Sequence, residues 1–312
     1  MRFIINFAKG FRATGSTSSM VLLLAIINLL FSLPFAFSLY NSLQDSMGLS
    51  EASEKMAKGF DYLWWEEYKD QSEGIEKTFS PSIIGPGAVL NNLQALAEMR
   101  FTAVPPILLA WGVLYLILRS FLAGGILSTY NQERPKFNLK RFAQGVASFF
   151  SRFFTLMLIS WAFFLAVAAV LNYGFRPLLE NTSEKANSEV EPFLFGLLFS
   201  LTILVLLLFI QMVFDYARIK IVLENHRNVL KASFKAFGFV FKHIFSTLSL
   251  YYLIVFMQVA TAIIYIYLKS LIPQINSPFV LGAFVLQQLF IFALLWLRCL
   301  LYSSQMELYR YL

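Results

Sequence analysis

The fold of this chain is decided by residues 200–213, SLTILVLLLFIQMV, which carry no charge and run directly into residues 214–225, FDYARIKIVLEN. The first stretch is apolar enough to lie in lipid. The second places Asp215 and Arg218 three residues apart before the sequence becomes apolar again. We interpret the two stretches as one helix that reaches the end of a membrane span at the Asp-Tyr-Ala-Arg motif and continues toward the membrane surface.

The composition of the whole chain also indicates lipid as the solvent. Of 312 residues, 58% are hydrophobic and only 14% are charged, whereas a typical soluble domain has about 25% charged residues. A helix needs about 20 apolar residues to cross a hydrocarbon core of roughly 30 Å. Six segments reach that length, and we therefore predict an all-α polytopic membrane bundle with six transmembrane helices, near residues 17–41, 103–129, 153–175, 193–217, 246–271 and 278–303.

These spans divide the chain into three predicted parts. Residues 1–41 form an N-terminal interfacial helix and the first span, residues 42–102 form a small extracytoplasmic helical cap, and residues 103–312 form a five-span membrane domain. The cap contains Tyr62, Trp64 and Trp65. These aromatic side chains are either a ligand platform or anchors at the level of the lipid headgroups.

The distribution of basic residues predicts the orientation of the chain. Segments 1–16, 131–152, 215–243 and 304–312 carry 15 Lys and Arg against 4 acids, while the opposite side carries 8 against 14. Cytoplasmic loops are enriched in Lys and Arg. Both termini are therefore expected in the cytoplasm, with the cap outside.

Three basic stretches that precede odd-numbered spans have an amphipathic pattern. In residues 228–243 an apolar stripe of Leu230, Phe234, Phe237 and Phe241 has the spacing of one helix face. Residues 138–154 repeat the pattern, with an apolar face of Leu139, Phe142, Val146, Phe149 and Phe153. Residues 1–12 do the same, with Ile4, Phe7 and Phe11 on the apolar face and Asn6 on the polar face. We predict helices lying in the interface, with lipid-headgroup contacts at Lys140, Arg141, Lys231, Lys235 and Lys242.

The same stretches align on an Ala-x-Gly motif, at Ala8/Gly10, Ala143/Gly145 and Ala236/Gly238. This alignment predicts a threefold internal repeat of interfacial helix, outward span, outer loop and inward span. Tyrosines near the inner ends of the inward spans are expected to form an aromatic belt; they are Tyr130, Tyr216 and Tyr302.

The sequence contains no recognisable catalytic machinery. No phosphate-binding Gly-rich Lys motif, HExxH, CxxC or GxSxG pattern occurs. The chain has two histidines and one cysteine, which give neither a Cys/His metal cluster nor an internal disulfide. We expect a protein that is not an enzyme, with no catalytic residue, metal or cofactor.

Charges inside the spans are the best candidates for a binding site, because a charge in hydrocarbon is functional by default. Arg119 and Arg298 lie within predicted spans, and Asp215, followed by Arg218, is the acid best placed to meet either one. Arg119 could pair with Asp215, bind a lipid phosphate, or snorkel to the membrane surface. Gly124 and Gly125 complete this candidate set, because small residues allow close helix approach.

Residues 121–154 and 215–243, with FLAGGIL, FNLKRFAQGVASFFSRFF and DYARIKIVLENHRNVLKASFKAFGFVFKH, resemble a group of uncharacterised bacterial six-helix integral membrane proteins. Those proteins are similar to the membrane-domain families found beside, or fused to, glycerophosphodiester phosphodiesterases. The resemblance spans roughly residues 103–270 and implies a bacterial inner-membrane location. It assigns no catalytic residue.

Two classes of function fit these observations. The first is a non-enzymatic protein that handles or transports lipid or a small amphiphile, with anionic headgroups as its partners on the cytoplasmic face. The alternative is a structural or accessory subunit that packs on partner proteins in a bacterial inner-membrane complex. Nucleic acid is not an expected partner, because the positive charge follows the membrane topology.

Overall fold

The computed structural model describes residues 2–47, 61–74, 76, 104–175, 177, 190–272 and 277–312. Within these ranges the chain is helical apart from short turns, and it contains no β-strand. The helices are α1 Arg2–Ser16, α2 Ser18–Met47, α3 Tyr62–Gln71, α4 Pro106–Tyr130, α5 Leu139–Val170, a π-helical turn Leu171–Phe175, α6 Val190–Leu223, α7 Val229–Lys242, α8 Ile244–Ser270 and α9 Ser277–Tyr311.

Six of these helices are long and apolar enough to cross a membrane: α2, α4, α5, α6, α8 and α9. Each contains one of the predicted spans, or nearly all of it, so the all-α fold with six membrane helices is confirmed. Several helices extend well beyond the apolar segment. The longest, α9, has 35 residues, or about 52 Å at 1.5 Å per residue, and is therefore longer than a hydrocarbon core is thick.

The described contacts group the chain into two compact units. The first contains Met1–Leu24, Ile117–Leu271 and Ala283–Leu312, and the second contains Ala25–Leu116 and Ile272–Gly282. The predicted three-part division followed the loops, whereas these boundaries fall inside α2, α4 and α9. The charged clusters described below all belong to the first unit.

The two predicted interfacial stretches at residues 2–12 and 228–243 form separate short helices. A turn at Thr17 separates α1 from α2, and a turn at His243 separates α7 from α8. Asn228 caps α7, because its side chain accepts a hydrogen bond from the backbone N–H of Lys231. Leu230, Phe234 and Phe241 of the predicted stripe are exposed on α7, as expected for a helix whose apolar face meets lipid, whereas Phe237 packs partly buried against the core.

The third predicted interfacial helix, at residues 138–154, is not a separate element. It is the first half of α5, which runs unbroken from Leu139 to Val170. Most of its apolar face is buried in the protein rather than turned to lipid. Phe142, Val146 and Phe153 are in the core and Phe149 packs against it, while Leu139 at the start of the helix is exposed. The reason is that this buried stripe continues at helical spacing into Leu156, Met157 and Ser160, so no change of direction is needed at the start of the span.

Each amphipathic stretch packs on an inward span, and two of the three do so through the glycine of the Ala-x-Gly motif. A Cβ atom added at Gly10 of α1 would lie 2.1 Å from the Ser304 side-chain oxygen on α9, and one at Gly145 of α5 would lie 2.3 Å from the Ser128 side-chain oxygen on α4. Helix α7 packs along α6. Every stretch thus packs on the inward span that precedes it in the proposed repeat, and α1 closes the series on the last span. This cyclic order supports the predicted threefold repeat.

The small-residue face of α1 also corrects the predicted polar stripe. Asn6, assigned to the solvent side, is buried together with Thr14. The Thr14 hydroxyl lies 2.9 Å from the Ser303 hydroxyl, and Ser303 also donates to the Gly10 carbonyl. A polar seam, rather than an apolar one, therefore holds α1 on α9.

Only part of the predicted cap lies among the described residues. Helix α3 begins after Asp61, whose carboxylate accepts from the backbone N–H groups of Leu63 and Trp64. Trp64 and Tyr68 are buried against Leu43 and Met47 of α2, and the Trp64 indole donates to Ser46 at 2.9 Å. Trp64 therefore packs within the protein, while the remainder of the cap lies outside the described residues.

The predicted orientation leads to a labelling experiment. In a Cys299→Ser background, Asp70→Cys should react with a membrane-impermeant thiol reagent in intact cells, and Ser148→Cys should react only after the cells are opened. Both positions are exposed, whereas Cys299 is buried. Labelling of Ser148→Cys in intact cells would reverse the orientation.

Candidate functional site

The Asp-Tyr-Ala-Arg motif lies on the most completely buried part of α6. Residues 212–222 are all buried, whereas most of the more apolar residues between 193 and 206 are exposed. The lipid-like stretch thus faces outward, and the polar stretch lies among the neighbouring helices. A helix buried on all sides is normally hydrophobic all round, so the charges at Asp215, Arg218 and Lys220 need specific partners.

Asp215 is fully buried and accepts three hydrogen bonds on one oxygen. Arg218 Nη1 donates to Asp215 Oδ1 at 2.6 Å, and Arg298 Nη2 from α9 donates to the same oxygen at 3.3 Å. Gln211 Nε2 donates to it at 3.2 Å. Three of the predicted site residues are therefore brought together: Asp215, Arg218 and Arg298.

Tyr302 holds Arg298 from its own helix. The Arg298 guanidinium donates to the Tyr302 hydroxyl at 2.8 Å and lies 4.7 Å from the centre of that ring, in the geometry of a cation–π contact. Tyr302 is buried, as are Tyr130 and Tyr216. The expectation that these three tyrosines form an aromatic belt is thus wrong, because their side chains are buried among the helices and do not face outward to lipid headgroups.

Arg119 does not form the ion pair with Asp215 that the sequence suggested as one alternative. Its residue is exposed on α4, and within the described part of the chain no hydrogen bond or ion pair ties it to another side chain. It nevertheless lies within electrostatic range of Arg298, Arg218 and Asp215. The acid is already occupied by the two other arginines, so Arg119 adds positive charge to the cluster.

The cluster has polar atoms that its own side chains do not satisfy. Among the described residues, Asp215 Oδ2, Arg218 Nε and Arg298 Nε are buried without a hydrogen-bond partner. Buried polar groups are normally paired with protein or with ordered water. One carboxylate against three arginines, with two free N–H donors, is an arrangement that can accept an anion.

The two glycines of the predicted set serve helix packing. A Cβ at Gly124 would lie 2.9 Å from the backbone oxygen of Gly145, and one at Gly125 would lie 2.6 Å from the Phe142 ring. They allow α4 and α5 to approach closely next to Arg119. No contact in the described structure gives them a direct role in binding.

The predicted headgroup-contact residues Lys140, Arg141, Lys231, Lys235 and Lys242 are all exposed. Arg141 donates to the side chain of Gln132 at 3.3 Å. The other four have no ion pair within the described part of the chain. Their contact with lipid phosphates stays a prediction.

A second polar network, which the sequence analysis missed, joins the ends of α6 and α9. Lys220 Nζ donates to Glu224 Oε1 at 2.8 Å and to the Tyr309 hydroxyl at 2.6 Å, and Tyr309 also donates to Glu224. Partial burial raises the pKa of Glu224, but the hydrogen bonds from Lys220 and Tyr309 and the Lys220 charge outweigh it and lower that pKa to about 2. Glu224 is therefore ionised at neutral pH, and its hydrogen bonds link the end of α6 to the end of α9.

The part of the chain that the structure describes holds no group of three or more His, Cys, Asp or Glu side chains that could bind a metal ion. No family model matches the chain, and neither a curated protein nor a solved structure is similar to it. The resemblance to bacterial membrane-domain families stays a prediction.

Proposed function

We propose that this protein is a non-enzymatic integral membrane protein of the bacterial inner membrane that binds and handles a lipid or small amphiphile with an anionic headgroup. The observation that carries the proposal is the excess positive charge around Asp215. Arg218 and Arg298 share one carboxylate, and Arg119 lies within electrostatic range of it. All four residues belong to helices that are long and apolar enough to cross a membrane.

These residues belong to helices apolar enough to lie in lipid, where an unpaired charge is costly. An arginine within a membrane span costs about 2.5–3.5 kcal/mol on insertion scales, and an anion beside it offsets that cost. Arginine also binds phosphate or carboxylate in a bidentate geometry. An anionic amphiphile can place its headgroup at the cluster while its tail stays among the lipid chains.

Arg119 is the side chain best suited to make this contact. It is exposed on α4, and among the described residues it forms no hydrogen bond or ion pair. Arg218 and Arg298, in contrast, hold Asp215. We assign Arg119 to ligand binding and the other two arginines to holding the site together. In this proposal the basic segments and both termini lie in the cytoplasm.

Replacing Arg119 with glutamine should therefore weaken binding without unfolding the protein. A hydrogen bond to a charged group contributes about 1.5–3 kcal/mol, so we expect affinity for the anionic amphiphile to fall about tenfold or more. The affinity is measured by titrating lysophosphatidic acid into the full-length protein in a neutral detergent. The thermal unfolding transition of each sample then shows whether the variant is folded.

Arg227→Gln is the matched control, because Arg227 is exposed outside the spans and is not part of the cluster. It should bind like the parent protein. Arg119→Lys should keep part of the affinity, since it keeps the charge and loses the bidentate geometry. If Arg119→Gln and the parent bind equally, Arg119 merely extends to the membrane surface and the proposed site is wrong.

Mass spectrometry of the protein purified in mild detergent is an independent test of the proposal. Co-purified anionic lipid that decreases in Arg119→Gln supports the proposal. A stoichiometric partner protein, with no lipid dependent on Arg119, would favour the alternative of an accessory subunit in a membrane complex.

A further inference from the structure

A cleft separate from the arginine–aspartate cluster opens beside α1, the loop at residues 131–138 and the end of α9. Its volume is about 680 Å³, which lies within the range of about 300–1,000 Å³ for ligand sites. Four basic side chains line it: Lys9, Arg12, Arg134 and Lys136.

The walls of the cleft are fixed to one another by hydrogen bonds. Ser16 on α1 donates to the backbone oxygen of Pro135 at 2.9 Å. Arg310 on α9 donates to the backbone oxygen of Tyr130 at 3.3 Å and to the Asn131 side chain at 3.1 Å. The loop that carries Arg134 and Lys136 is thereby held against both helices, so the four basic side chains line the same open cleft.

The charge in the cleft is largely uncompensated. In the described part of the chain, none of the four cations forms an ion pair or a side-chain hydrogen bond. Two acids also line the cleft, but Glu307 is paired with Arg310 at 2.9 Å. Glu133 is then the one lining acid, among the described residues, without an ion-pair partner.

We propose that this cleft binds a phosphate-bearing ligand. Phosphate carries the charge that four cations and one free acid leave uncompensated, and the planar guanidinium groups of Arg12 and Arg134 suit its oxygens. Lys9 and Lys136 contribute point charges. A lipid headgroup and a soluble phosphate ester share this chemistry.

The surface of α1 relates the cleft to the membrane. Ile4, Ile5 and Phe11 are exposed on α1, which is the arrangement of a helix whose apolar side meets the lipid interface. Lys9 and Arg12 follow on the same short helix. A lipid phosphate can therefore reach the cleft from the bilayer, and a soluble phosphate can reach it from water.

The test uses the full-length protein and two probes that separate these sources. Inorganic pyrophosphate is titrated calorimetrically into protein in neutral detergent. For the second probe, the protein is placed in phosphatidylcholine nanodiscs that contain phosphatidic acid. Native mass spectrometry of the protein released from these nanodiscs then counts the phosphatidic acid molecules bound to each protein. Arg12→Gln combined with Lys136→Gln should lower binding of at least one probe about tenfold or more, and the affected probe identifies the source.

The matched control is Arg227→Gln combined with Lys69→Gln, which also removes one arginine and one lysine from exposed positions; neither residue lines the cleft. It should change binding less than threefold. An equal loss in both double variants would show that only the overall surface charge matters and would overturn the proposal, as would a parent protein that binds neither probe.

If the first double variant does not fold, Lys9→Gln combined with Arg134→Gln should give the same loss. This site shares no residue with the intramembrane cluster. A cleft variant should therefore keep the part of lysophosphatidic acid binding that Arg119→Gln removes, and Arg119→Gln should keep the pyrophosphate or phosphatidic acid binding that the cleft variants remove. Failure of either proposal can thus be recognised separately.

Discussion

Asparagine in place of Asp215 should lower the free energy of unfolding by about 3–5 kcal/mol, the usual cost of removing one member of a buried ion pair. Asp215 is fully buried and is the acceptor shared by Arg218 and Arg298. Without its charge, two guanidinium groups in membrane-spanning helices lose their counter-ion. The measurement is unfolding of the purified protein in mixed detergent micelles.

The matched control for this variant is Asp70→Asn on α3. Asp70 is exposed, and surface substitutions of this kind usually change stability by less than about 0.5 kcal/mol. If Asp215→Asn is as mild as Asp70→Asn, the two arginines do not depend on the carboxylate, and the cluster is not held together by charge.

A second substitution should recover much of the loss. Arg218 is the nearer of the two cations, at 2.6 Å from Asp215, and removing it takes away one of the stranded charges. Asp215→Asn combined with Arg218→Met should therefore be more stable than Asp215→Asn alone by roughly 2 kcal/mol. Strictly additive losses would contradict the pairing.

The six spans were predictable because they depend on length and apolarity alone. A run as apolar as residues 200–213 has to lie in the hydrocarbon core of a membrane, whatever residues flank it in the sequence. The helix ends were less predictable. The sequence placed an interfacial helix before the third span, but the buried stripe from Phe142 to Ser160 keeps α5 continuous. Periodicity shows that a helix has an apolar face, and it does not show whether lipid or protein covers that face.

The candidate site was predictable in its membership and not in its pairing. The charges of Asp215, Arg218 and Arg298 stand out against apolar surroundings in the sequence. Which arginine reaches the acid depends on the rotation of α4 and α9 about their axes. In the structure α9 presents Arg298 to Asp215, whereas α4 leaves Arg119 at the surface.

The polar network between α6 and α9 was not predicted for a related reason. Lys220, Glu224 and Tyr309 are ordinary residues for a basic membrane surface, and 85 residues separate Glu224 from Tyr309. The spacing of Lys220 and Glu224, four residues apart on one helix, was the signal that could have identified the first half of the network.

Alanine at Gly10 should detach or displace α1, and we expect a loss of about 1–3 kcal/mol from this single methyl group. The added Cβ would lie 2.7 Å from the Ser304 backbone nitrogen and 2.8 Å from its Cα atom. A backbone cannot rotate away as a side chain can, so α1 itself must move. That movement also strains the hydrogen bond between Thr14 and Ser303.

The proposed repeat supplies the control for this prediction. Gly238 occupies the same position of the Ala-x-Gly motif in α7, but nothing lies within 4 Å of a Cβ built there. Gly238→Ala should be neutral or stabilising by about 0.5–1 kcal/mol, because alanine restricts the unfolded chain. Unfolding in mixed micelles would compare the two variants, and amide hydrogen exchange in α1 would locate the change. If Gly10→Ala matched Gly238→Ala in both measurements, α1 would not pack closely on α9. The contact between the first amphipathic helix and the last inward span would then contribute nothing to stability.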